Sequence, residues 1–159
     1  MRQQPGNNIA RDAIKAWRIT ASTYMVVLWL LIIAGGVVTF IFDFTYIYSV
    51  ISIIIGVIAI LIFVLLIPKI RYRRWRYEIY EQEIYIQHGI LIMTRTIIPM
   101  IRVQHVDTKQ GPILKMYKLA TVSISTAATT HEIPALYEKD ASELRDRISA
   151  LAMVDEDDV

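Results

Sequence analysis

Residues 19–68 contain a single charged side chain, that of Asp43, near the middle of the stretch. Residues 24–42 on one side and residues 47–67 on the other form two uncharged, mainly apolar runs. As α-helices these runs would be about 28 and 31 Å long, which matches the roughly 30 Å thickness of a bilayer's hydrocarbon core. This stretch therefore predicts two membrane spans.

The two runs are continuously apolar rather than alternating, which favours helices over the strands of a membrane barrel. A charged residue at a helix centre costs about 2.5–3.5 kcal/mol on insertion, so Asp43 is expected in a water-facing turn. The prediction is a membrane hairpin, residues 19–68, that turns at residues 43–46. Buried helices of a soluble protein are a poor alternative for two runs this long, and a signal peptide would need a shorter apolar region with a cleavage site.

The distribution of basic residues predicts the orientation of the membrane hairpin. The turn carries no Lys or Arg, whereas both flanking segments are basic. Short flanks rich in Lys and Arg stay in the cytoplasm, so a multi-pass protein of the cell membrane with both termini inside is predicted. The flanking basic residues are Arg2, Arg11, Lys15, Arg18, Lys69, Arg71, Arg73, Arg74 and Arg76.

Small residues in both spans predict a helix-packing face, because helices in lipid associate through close approach of such residues. The face comprises Gly35, Gly36, Ser52 and Gly56. This face would either hold the two spans of the hairpin together or dock another subunit. The first role is favoured because the spans are covalently connected. Neither span contains a Lys, Arg, His, Asp or Glu, so an anchor is favoured over a transporter.

Five closely spaced basic residues follow the second span, and we call them the basic collar. The simpler interpretation is a topology signal held at the anionic inner leaflet, and the sharper one is recognition of a lipid headgroup. The basic collar consists of Lys69, Arg71, Arg73, Arg74 and Arg76.

Beyond the membrane the periodicity changes to two, which indicates strands. One strand is expected over residues 90–98, and a bulge near Gln104 and His105 would explain a slip in the next. Pro112 is placed to open a short helix, and Asp140 to cap a long C-terminal one. Six or seven strands and one amphipathic helix predict an α+β unit, a bent antiparallel sheet or open barrel capped by that helix.

The chain thus divides into four predicted parts. Residues 1–18 form a cytoplasmic segment whose beginning is expected to be disordered, and residues 19–68 form the membrane hairpin. Residues 69–154 form one small soluble domain, and residues 155–159 an acidic tail. The formal net charge of +2 combines the basic collar with this acidic end, so it does not indicate nucleic-acid binding.

Three segments resemble the signature of bacterial pleckstrin-homology-like (PH-like) domains of the YdbS type, the second bacterial family of such domains. They are residues 98–106, 110–114 and 119–126, and the resemblance covers roughly residues 20–150. It implies two bent antiparallel sheets packed nearly orthogonally and closed by the C-terminal helix, in a bacterial membrane protein. It also implies a partner, because relatives often accompany a larger membrane protein with several copies of this domain. The family supplies no catalytic or ligand residues.

No pattern of residues indicates catalysis, a cofactor or a metal. The absence of cysteine excludes disulfides and thiolate chemistry. The histidines lack metal-ligand spacing, the serines lack a nucleophile motif, and the glutamates of residues 78–83 fit the solvent face of a strand pattern. The residues considered are His88, His105, His131, Ser123, Ser125, Glu78, Glu81 and Glu83.

Two functions remain open. The first is a non-enzymatic, membrane-anchored interaction module that holds a PH-like domain at the inner leaflet to bind a protein partner or an anionic lipid. The second is an accessory subunit of a larger envelope export or resistance complex.

Overall fold

The computed structural model describes the backbone of residues 5–157 and the side-chain surroundings of residues 5–153. Two long helices form the membrane hairpin. Helix α1 spans Ala13–Ile41, and after a turn at Asp43 a second continuous helix runs Ile47–Arg74. Both are long and apolar enough to cross a membrane, with 29 and 28 residues. Asp43 has φ of 51°, a left-handed conformation that Asp tolerates better than most residues, so the predicted turn is confirmed.

The second helix has three segments: α2 over Ile47–Ile60, a π-helical stretch over Leu61–Leu66, and α3 over Ile67–Arg74. The wider turn directly precedes Pro68, which lacks an amide N–H and whose ring clashes with the preceding turn of a regular α-helix. A π-helical turn is one of the known ways in which a helix absorbs such an irregularity. The helix therefore continues past Pro68 into the basic collar.

The two spans meet closely at Gly56. A Cβ at this position would lie 2.8 Å from Ile32 Cδ1 and 3.3 Å from the ring of Trp29. Near the turn, the hydroxyls of Thr39 and Ser49 lie 2.7 Å apart in a hydrogen bond between the spans. Small and hydroxylated residues thus bring the two helices together, as expected in lipid.

The segment before the first span belongs to the fold of the soluble domain. Strand β1, Asn7–Asn8, pairs antiparallel with β2, Arg76–Ile79. Ile9 and Ala10 are buried in the core, and the amide of Ala10 donates to the carbonyl of Ala135 at 3.0 Å. The expected disorder is wrong from residue 5 onward, because this segment completes a sheet edge and fills the core. Residues 1–4 lie outside the described residues.

Within residues 5–157, seven strands form two antiparallel sheets. The first has the order β1-β2-β3-β4, with β3 at Glu83–His88 and β4 at Thr94–Pro99. The second has the order β5-β6-β7, with strands Val103–Lys109, Leu119–Thr126 and Thr130–Tyr137. Short helix α4, Pro112–Met116, joins β5 to β6, and α5, Glu138–Asp157, follows β7.

A single core joins the sheets, α5 and the start of α1. Its fully buried large side chains are Ile84, Ile86, Met100, Leu119, Val122, Ile124, Ile133, Leu136 and Ile148. Each contributes about 1.5–3 kcal/mol through burial. The predicted fold class, two transmembrane helices followed by a PH-like α+β domain, is thereby confirmed.

Several local predictions are confirmed and others are wrong. The bulge appears as a register shift between Val103 and His105, and Pro112 opens α4. The strand expected from residue 90 begins only at Thr94, because residues 89–93 form an exposed loop. Asp140 lies inside the first turn of α5 rather than at its cap, since the helix begins at Glu138.

Strand β7 continues past Pro134, to Tyr137. β7 is an edge strand of its sheet, and proline, which lacks an N–H, is tolerated at sheet edges and bulges. The opposing register shift between Ala120 and Val122 and the positive φ of Ala135, 52°, mark a bulge at this place.

The contact at Gly56 predicts that a larger residue destabilises the hairpin at this position but not at Gly35. Gly56→Val forces its side chain into Ile32 and Trp29, so we expect a loss of about 1–3 kcal/mol in the stability of the hairpin. The matched control is Gly35→Val, because a Cβ at Gly35 meets nothing within 4 Å. Thermal unfolding in detergent micelles should show a lower midpoint for Gly56→Val alone, and equal midpoints would contradict the packing described.

Candidate functional site

A cleft of about 730 Å³ opens beside the end of α3, where the second membrane helix enters the soluble domain. Its walls come from α3, from the ends of β3 and β5, and from the start of β7. The lining residues are Arg71, Trp75, His88, Gly89, Ile90, Lys109, Thr130, His131, Glu132 and Pro134. Both sheets contribute, so the cleft exists only in the folded domain.

Aromatic rings fix the membrane side of the cleft. The guanidinium of Arg71 lies over the ring of Trp17 in α1, 4.3 Å from the ring centroid. This cation–π contact joins the two membrane helices at the ends that adjoin the soluble domain. Trp75, which is buried, stacks on His88 with centroids 5.2 Å apart and an interplanar angle of 15°.

The environment of His88 favours its neutral form. Partial burial lowers the pKa of His88 below its usual value of 6.5, and the charge of Arg71 and the neighbouring His131 add to this shift. Burial disfavours an imidazolium because a charge loses hydration, and a nearby cation repels it. The ring is therefore mainly neutral at pH 7, where one ring nitrogen donates and the other accepts a hydrogen bond.

The opposite wall of the cleft is polar. Lys109 Nζ lies 3.4 Å from Glu132 Oε1, and both side chains are more than half exposed. Such an exposed pair is worth little on its own, about 0–1 kcal/mol, so Lys109 is free to turn toward a bound anion.

The five residues of the basic collar lie in three different surroundings. Arg71 lines the cleft, and Arg74 donates from Nη1 to the carbonyl of Ile90 in the adjacent loop. Lys69 and Arg73 are exposed and lie one helical turn apart. Arg76 belongs to β2, where it pairs with Asn8 and Gln87. Of the five predicted contacts, only Arg71 enters the cleft.

The predicted helix-packing face is also divided. Gly56 lies against the first span, and Ser52 donates to the carbonyl of Ser49 at 2.9 Å. Gly35 and Gly36 have nothing within 4 Å of where a Cβ would stand. The role of this face as a whole stays a prediction.

Three residues of the cleft were not singled out as a site by the sequence. His88, Lys109 and His131 come from three different strands, and they meet only because the end of β3 faces β5 and β7. No spacing in the sequence indicates that these three residues lie close together. Among the residues that the structure describes, no group of three His, Asp or Glu is placed to hold a metal ion.

Comparison with known proteins gives a consistent assignment. A family model described as the bacterial PH domain matches residues 23–152. The chain is 50% identical to the UPF0699 transmembrane protein YdbS of Bacillus subtilis (strain 168), over the whole length of both chains. No solved structure matches. With two apolar helices ahead of two antiparallel sheets and a closing helix, the chain belongs to the bacterial PH domain family, as a transmembrane member similar to YdbS.

Proposed function

We propose that this protein is a non-enzymatic, membrane-anchored module that binds the phosphate group of an anionic lipid at the inner leaflet. The observation that supports this proposal is the cleft beside α3, where Arg71, Lys109, His88 and His131 converge. The proposal includes the orientation predicted from the flanking charges, with both termini in the cytoplasm.

The charge balance of the cleft favours an anion. Arg71 and Lys109 are basic side chains, and Glu132 is the one carboxylate among the lining residues. Two imidazoles add hydrogen-bond donors that gain positive charge when protonated. A phosphate diester accepts such charge-assisted hydrogen bonds, which are shorter and stronger than neutral ones.

The distance of the cleft from the predicted hydrocarbon core agrees with the position of lipid headgroups. Arg71 lies three residues beyond Pro68, so it stands about 4.5 Å past the predicted end of the hydrocarbon core. The headgroup layer is about 5–7 Å thick on each side of a bilayer. Arg71 and the mouth of the cleft would therefore lie at the level of lipid phosphates.

The alternative is an accessory subunit of a larger membrane complex, and one observation favours it. Gly35 and Gly36 leave a small-residue surface of α1 uncovered by the hairpin itself. In lipid such a surface suits the close approach of another helix. Stoichiometric recovery of another membrane protein from mild detergent would support this alternative, and the two functions are compatible.

Lipid binding in the cleft predicts that removal of a positive charge there lowers the affinity for an anionic lipid, whereas removal of one elsewhere does not. The full chain in detergent is titrated with a short-chain phosphatidylglycerol below its micelle concentration, and tryptophan emission is recorded. Charge-assisted contacts are worth about 1.5–3 kcal/mol, so Lys109→Gln should weaken binding by roughly 10- to 100-fold, and Arg71→Gln likewise. The control is Lys139→Gln, which removes the same charge from an exposed pair with Glu143 on α5.

Short-chain phosphatidylcholine distinguishes headgroup recognition from general lipid uptake, and inorganic phosphate distinguishes a lipid from a free anion. Equal weakening by Lys109→Gln and Lys139→Gln would show that net charge acts rather than the cleft. Equal affinity for the two lipids would contradict a preference for anionic headgroups.

The lowered pKa of His88 predicts a pH dependence of this binding. A bound anion favours the imidazolium and raises the pKa of His88, so the affinity should increase as pH falls from 7.5 to 5.5. The gain is about tenfold for each unit by which the pKa rises. The charged or titratable residues that line the cleft together with His88 are Arg71, Lys109, His131 and Glu132. His88→Asn should flatten the dependence, and an unchanged slope would assign it to another group.

The orientation is tested separately, because the cysteine-free chain accepts single cysteines without background. Thr45→Cys in the turn should react with a membrane-impermeant maleimide on intact cells. Gln82→Cys, in the exposed turn between β2 and β3, should react only after permeabilisation. The reverse pattern would place the soluble domain outside.

A further inference from the structure

The loop between β3 and β4 exposes a group of large apolar side chains. We call residues 89–93 the apolar loop; it contains no charged residue. Leu91 is 94% exposed and Ile92 is 82% exposed, the two highest values among large apolar side chains of the soluble domain. Side chains of this kind are costly to leave in water, so their exposure points to a partner.

The topology places this loop at the membrane end of the domain. Strand β2 begins at Arg76, two residues after α3 ends, and β3 is antiparallel to it with Gln87 opposite Arg76. The chain therefore returns toward the membrane along β3, and the apolar loop follows directly. The opposite end of β3 carries the turn at Gln82, about 20 Å away for a six-residue strand.

A direct contact ties the loop to the membrane helix. Arg74, at the last position of α3, donates to the carbonyl of Ile90. By its distance from Pro68, Arg74 lies about 9 Å beyond the hydrocarbon core, just outside the headgroup layer. Consecutive Cα atoms are about 3.8 Å apart, so the exposed side chains of Leu91 and Ile92, which directly follow Ile90, lie beside this layer.

The loop is also built to hold its shape. Gly89 has φ of 136°, a conformation that other residues rarely adopt. A Cβ at this position would overlap the carbonyl of Ile92, so only glycine allows the chain to fold back so tightly. A preformed apolar tip loses little conformational entropy when it enters the interface.

We propose that the apolar loop inserts into the lipid leaflet next to α3 as a third membrane contact, with Leu91 and Ile92 at the acyl-chain boundary. The partner is the bilayer itself, because the loop is continuous with the surface through which α3 leaves it, and the neighbouring basic collar suits anionic headgroups. This proposal does not depend on what binds in the cleft or on which leaflet faces the domain.

The test uses single cysteines in the full chain, reconstituted in vesicles of phosphatidylcholine and phosphatidylglycerol. Leu91→Cys and Ile92→Cys are labelled with an environment-sensitive fluorophore, and Gln82→Cys is the matched control at the other end of β3. We expect blue-shifted emission at positions 91 and 92. We also expect several-fold weaker quenching by aqueous iodide than at position 82, and efficient quenching by lipids with a nitroxide near the top of the acyl chain.

Iodide quenching at 91 and 92 as strong as at 82 would overturn the proposal. Labels shielded from iodide yet untouched by the lipid nitroxide would also overturn it, since a protein surface such as a second copy would then cover the loop. Because Leu91 and Ile92 are almost fully exposed, labelling should leave the fold intact. Circular dichroism of each labelled chain checks this.

Discussion

The arrangement of this protein depends on the absence of a flexible linker between its membrane hairpin and its soluble domain. Helix α1 begins at Ala13, and both Ala13 and Ala16 are buried against the domain. At the other end, only Trp75 separates α3 from β2. The contact between Arg71 and Trp17 joins the two helices at the same level. The domain is therefore held in one orientation, with the same surface always toward the bilayer.

The free energy of lipid binding differs between a domain held in this way and a protein that must be recruited from solution. Recruitment costs several kcal/mol of translational and rotational freedom, and this chain has already met that cost by inserting its hairpin. On the proposed function, a cleft at the headgroup level would sample lipids at a high effective concentration. Modest contacts such as those of Arg71 and Lys109 would then suffice to select among headgroups, and their purpose would be discrimination rather than attachment.

The sequence predicted the parts of the structure whose physics is local. Hydrophobic length and the lone Asp43 defined the hairpin, and Pro112 and the slip near His105 located a helix and a bulge. Predictions failed where distant contacts decide the outcome. Residues 5–8 look polar and unstructured, but β2 offers them an edge to pair with. The sequence could not predict the cleft for the same reason. His88 and His131 are 43 positions apart, and only the packing of the sheets brings them together.

The folding unit extends beyond the predicted domain boundary at residue 69. The predicted boundary at residue 69 follows the covalent order of the chain, yet residues on both sides of it fill one core. A fragment that begins at residue 69 would lack Ile9 and Ala10, and β2 would lose its partner β1. The missing Ile9 side chain alone costs a few kcal/mol, and the exposed edge of β2 would favour association. Since natural domains are stable by only about 5–15 kcal/mol, such losses are a large fraction of the total. The hairpin therefore does more than anchor the domain, because the segment that leads into it is structurally part of the domain that it anchors.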